Sequence, residues 1–99
     1  AVYVKQADQY EVIKEKVLND LKLEMQKEEI QKEISKLQTA NENLRKQVVE
    51  LENDIKRNEG AVRDTLIQLK TSAETIIQQQ EAKIKELEAQ LAELEATEE

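Results

Sequence analysis

The sequence predicts an all-α protein, a long continuous helix that forms a parallel dimeric coiled coil with heptads and hendecad stutters. Three observations carry this. The 99 residues include one Gly, no Pro and two Ser, so turn punctuation is almost absent. Ala, Glu, Lys, Gln and Leu dominate and charged residues make up 37%, the composition of a long paired helix, whereas two Tyr with no Phe or Trp cannot fill a globular core. Apolar residues recur at alternating steps of four and three, the spacing that keeps one stripe turned toward a partner helix. The alternative architecture is an α-helical hairpin that turns near Gly60.

The chain divides into four stretches of one coiled-coil segment, read as part of a longer rod. Residues 1–29 carry a stripe through Tyr10, Ile13, Val17, Leu18, Leu21 and Met25, wider than the two positions in seven of a narrow seam. Between Val17 and Ile30 the frame runs through Leu21 and Met25 or through Leu23, and both remain open. Residues 30–57 form the strong seam: Ile30, Ile34, Leu37, Asn41, Leu44, Val48, Leu51 and Ile55. With Ile34 at a, β-branched residues and Asn41 occupy a and leucines fill d, the pattern of parallel dimers. Asn41 then pins the register, since misalignment strands a buried amide at about 1–3 kcal/mol.

Residues 58–83 loosen that seam. Ile55 to Leu66 and Ala73 to Ile84 are each eleven residues, a heptad plus a four-residue stutter. The seam here is drawn through Val62, Leu66, Leu69, Ala73, Ile76 and Gln80. Asn58, Gly60 and Gln80 are candidate hinge positions, because Gly inside a helix costs about 1 kcal/mol and polar residues weaken the seam. Residues 84–99 restore it with Ile84, Leu87, Leu91 and Leu94. They also complete an acidic end: residues 71–99 hold two Lys against eight carboxylates, which is −6 of the net charge of −7.

Chemistry is excluded more firmly than any partner is identified. Without Cys or His there is no thiolate or imidazole for zinc, iron–sulfur or His-dependent nucleophilic sites. Carboxylates are plentiful, but a rod has no concave dry cleft to separate their pKa values. Glu28 with Lys32, Glu42 with Lys46, Glu52 with Lys56 and Glu81 with Lys85 instead have the i, i+4 order that supports a helix. No enzyme activity, metal, cofactor or small-molecule substrate is expected. The densest basic cluster, Lys56, Arg57 and Arg63, is interleaved with acids, so nucleic acid is not an expected partner. An anionic end repels anionic membrane surfaces, and no apolar run reaches the roughly 18 residues of a span.

With Ile34, Leu37, Asn41, Leu44, Val48, Leu51 and Ile55 in this order, residues 30–58 resemble two-stranded rods of the tropomyosin, myosin-tail and kinesin-stalk type. The resemblance is one of repeat type and implies a homodimer. The expected function is a structural oligomerisation module, a dimeric rod of about 150 Å at 1.5 Å per residue that joins and spaces flanking domains in an intracellular scaffold or cytoskeletal protein. The alternative is an adaptor coil that binds another protein through its wide N-terminal face. Its candidate contacts are Tyr10 on that face and the off-seam residues Val49, Ile67 and Ile77.

Overall fold

A computed structural model describes residues 2–97. Among them the chain is two α-helices, α1 (Val2–Arg57) and α2 (Gly60–Thr97), folded into an antiparallel hairpin. The molecule measures 88 × 16 × 15 Å. Its length is set by the 56 residues of α1 at 1.5 Å each, about 84 Å. Glu98 and Glu99, counted above in the acidic end, lie outside the described residues.

The continuous helix is thereby corrected, and the physical reason lies in Asp54–Gly60. Helix α1 ends on Lys56 and Arg57, whose charges complement the negative end of the helix dipole. Asn58 then closes it: its side-chain amide donates to the Asp54 carbonyl at 2.8 Å, and its backbone N–H meets the Ile55 carbonyl at 3.4 Å. Both bonds occupy carbonyls that a helix end leaves without partners. Gly60 follows with φ of 63°, left-handed backbone that other residues enter only at a cost. One Asn and one Gly therefore suffice to reverse the chain.

The helices meet along one seam whose phase is regular on both sides. On α1 the seam runs through Leu23, Lys27, Ile30, Ile34, Leu37, Asn41, Leu44, Val48, Leu51 and Ile55, and Asn58 continues the spacing in the turn. On α2 they are Leu66, Lys70, Ala73, Ile77, Gln80, Ile84, Leu87, Leu91 and Leu94. Both series alternate steps of four and three, so the expected stutters are corrected as well. The first eleven-residue interval spans the turn, and the second is filled in heptad phase by Ile77 and Gln80. The frame left open before Ile30 runs through Leu23.

Packing is uneven along the hairpin. Ile34, Ile84 and Leu87 form a buried cluster with Ile30, Leu37 and Leu91 against it. This cluster is wholly aliphatic, so apolar burial at about 25 cal/mol per Å² concentrates here. Nearer the turn the seam includes Ala73 and Lys70, which bury less apolar area.

Candidate functional site

Two surfaces carry the residues singled out by the sequence, and they have different fates. The first is the α1–α2 seam. Asn41 is its most enclosed residue, 2% exposed, and its amide nitrogen donates to the Ile77 carbonyl at 3.3 Å. A carbonyl can only accept, so the nitrogen must be the atom that faces it. The Asn41 Oδ1 and the Gln80 Oε1 are buried without a protein partner. Asn41 thus pairs with the main chain of α2, where the sequence pattern pairs it with its own copy.

Charges flank this seam. Arg45 pairs with Glu81 across the hairpin, and Lys70 Nζ lies 3.4 Å from Glu52. Two of the carboxylates assigned to i, i+4 pairs therefore reach the other helix. Glu42 and Lys46 do meet within α1, at 3.9 Å. Lys27 is buried on the seam, its ammonium 3.6 Å from Glu24. Its stem covers apolar surface while its charge finds a carboxylate.

The positions drawn as a dimer seam are therefore mostly occupied within one chain. Ile30, Ile34, Leu37, Asn41, Leu44, Val48, Leu51, Ile55, Leu66, Ile84, Leu87, Leu91 and Leu94 all lie on the α1–α2 interface. Three do not: Val62, Leu69 at 53% and Ile76 at 42% are exposed. At two positions of α2 the covered residue is one later than the pattern suggested, Lys70 in place of Leu69 and Ile77 in place of Ile76. Ile77, a candidate partner contact, is buried at 8% exposure, whereas Tyr10, Val49 and Ile67 face solvent. Of the hinge positions, Asn58 and Gly60 form the turn and Gln80 sits in the seam.

The second surface is the N-terminal part of α1. Thr97, the last described residue of α2, lines a shallow groove with Lys16, Asp20, Leu23 and Glu24. Among the described residues, the turns of α1 on the N-terminal side of this groove have no α2 residue beside them. Tyr10, Ile13, Val17, Leu18, Leu21 and Met25 are all exposed, from 48% at Leu18 to 65% at Tyr10. At about 100° per residue they occupy one arc, centred roughly 140° from the direction of Leu23, Lys27, Ile30 and Ile34. The stripe is separate from the seam and turns away from α2. Along the α2-facing direction this part of α1 presents Val12, Lys16 and Asp20, one exposed apolar residue with two charged ones.

Among the described residues no cluster of acidic side chains is arranged to hold a metal ion, and no helix is long and apolar enough to cross a membrane. Comparisons with family models, with curated proteins and with solved structures find no match to this chain. The functional reading therefore rests on the two surfaces themselves.

Proposed function

We propose that this chain is a non-enzymatic interaction module, a helical hairpin arm that carries an apolar docking face on the N-terminal part of α1. One observation carries the reading: six of the seven exposed large apolar residues of α1 from Tyr10 to Met25, all but Val12, form one stripe on the side of the helix turned away from α2. Isolated large apolar side chains on a surface are ordinary, but a contiguous stripe marks an interaction face. The seam stiffens the arm, and the docking face supplies the contact.

This is the adaptor reading of the sequence, and it is favoured over a parallel dimeric rod that spaces flanking domains. Such a rod must open the hairpin and re-pair the seam between copies. Closing a two-residue turn costs little chain entropy, whereas association of two chains gives up translational and rotational freedom. Small-angle scattering separates the two: the hairpin has a long dimension near 88 Å, and the rod about 150 Å. The docking face is tested with a dye that fluoresces on apolar surfaces. Val17→Asp combined with Leu21→Asp should abolish the fluorescence and leave the helical circular dichroism intact. Unchanged fluorescence would reject the face.

A further inference from the structure

We propose that the occupant of the α1 docking face is the same segment of a second copy, laid antiparallel across it and centred on Asn19. The inference rests on the docking reading above and adds to it the identity and direction of the partner.

The order of residues along the stripe carries the argument. At heptad spacing its midline reads Tyr10, Lys14, Val17, Leu21, Glu24 and Glu28, with Ile13, Leu18 and Met25 at its edges. Set antiparallel about Asn19, two copies place Tyr10 opposite Glu28, Lys14 opposite Glu24 and Val17 opposite Leu21, each twice. The Tyr10 hydroxyl can donate to a carboxylate, the ammonium meets an opposite charge, and the centre is aliphatic. In a parallel alignment Lys14 meets Lys14, Glu24 meets Glu24 and Glu28 meets Glu28. Like charges face each other at three of six layers, which discriminates against that arrangement.

Space and area agree with this pairing. Helix α2 lies about 140° around α1 from the midline, so a second helix can lie along residues 10–28 without displacing it. Glu24 already contacts Lys27 on the seam side, yet its side chain is 59% exposed and free to accept a second cation. The six apolar side chains offer on the order of 500–600 Å² per copy, which puts the pair near the lower limit of specific interfaces. The contact is therefore weak and concentration-dependent. Two hairpins joined this way point in opposite directions and span about 120 Å, since about 38 residues of α1 separate Asn19 from each tip.

The chain has no Cys, so introduced thiols report cleanly. Under mild oxidation the full chain carrying Lys14→Cys and Glu24→Cys should form covalent dimers. Either substitution alone should not, because like positions lie about 15 Å apart along the axis in this register. Scattering should show mass rising toward a dimer with a long dimension near 120 Å. Lys14→Glu should weaken the dimer about tenfold at low salt by reversing two ion pairs, and adding Glu24→Lys should restore it. Efficient crosslinking by either single variant overturns the antiparallel register. A monomer with dye binding retained, held up to about 0.5 mM, overturns the second copy and leaves the docking face for a different protein helix. A monomer without dye binding overturns both readings.

Discussion

Replacing Gly60 by Ala separates the hairpin from a continuous helix by the sign of one stability change. In the hairpin Gly60 has φ of 63°, and nothing lies within 4 Å of where a Cβ would be placed. The substitution therefore meets no steric obstacle, and its effect is confined to the backbone. A residue with a Cβ pays about 1–2 kcal/mol to hold left-handed backbone. Ala also narrows the unfolded ensemble, which returns about 0.4–1 kcal/mol where the native conformation is compatible. The net expectation is a loss of about 1 kcal/mol. For a domain of this size that lowers the midpoint of thermal unfolding by about 4–8 °C. In an unbroken helix the same substitution gains about 1 kcal/mol, because Gly is then an interior residue of low propensity. Urea and thermal unfolding followed by circular dichroism at a fixed protein concentration give the answer. Gly60→Asn should fall between wild type and Ala, since Asn tolerates left-handed backbone better than other residues. A rise in the Ala midpoint would refute the turn.

Other substitutions test the seam. Asn41→Leu removes one hydrogen bond to Ile77, but it also removes the buried Oδ1 that has no protein partner. Unfolding free energy should rise by about 1–3 kcal/mol, and a decrease would show that the amide is fully satisfied. Ile84→Ala should cost about 2–4 kcal/mol through cavity formation, whereas Leu69→Ala, at 53% exposure, should change stability by less than about 0.5 kcal/mol; equal losses would contradict the phase of α2. In hydrogen exchange the amides of residues 61–80 should open before those of 84–91, because the aliphatic cluster of Ile34, Ile84 and Leu87 lies at the far end from the turn. Uniform protection would remove that gradient.

The strong seam of α1 was legible because its apolar and Asn positions from Ile30 to Asn58 obey one spacing without a competitor. Helix α2 was harder. Leu66-Ile67, Leu69-Lys70 and Ile76-Ile77 each offer adjacent positions; hydrophobicity favours Leu69 over Lys70 and does not distinguish Ile76 from Ile77. The choice of Lys70 and Ile77 is made by the facing helix: Ile77 supplies a carbonyl to Asn41, and Lys70 reaches Glu52. Such cross-helix partners leave no trace in a single-strand periodicity. The turn shows in the sequence as Asn58-Glu59-Gly60 without a Pro or a second Gly, and the bonds of Asn58 to the Asp54 and Ile55 carbonyls take their part. The wide face of residues 1–29 shows in the sequence by its breadth alone. That it is distinct from the seam follows from the frame through Leu23 and Lys27, which their cover in the folded hairpin reveals.

The two-residue link between α1 and α2 fixes which contacts respond to dilution. Residues on the seam see their partner at an effective concentration set by the chain itself, in the millimolar range or above for so short a connection. Diluting the protein leaves that pairing unchanged. A contact made through Tyr10 to Met25 has no such tether, and its occupancy follows the amount of partner present. The molecule therefore joins a concentration-independent framework to a concentration-sensitive end. Lengthening the Asn58–Glu59 connection would lower the seam's effective concentration and leave the affinity of the docking face as it is.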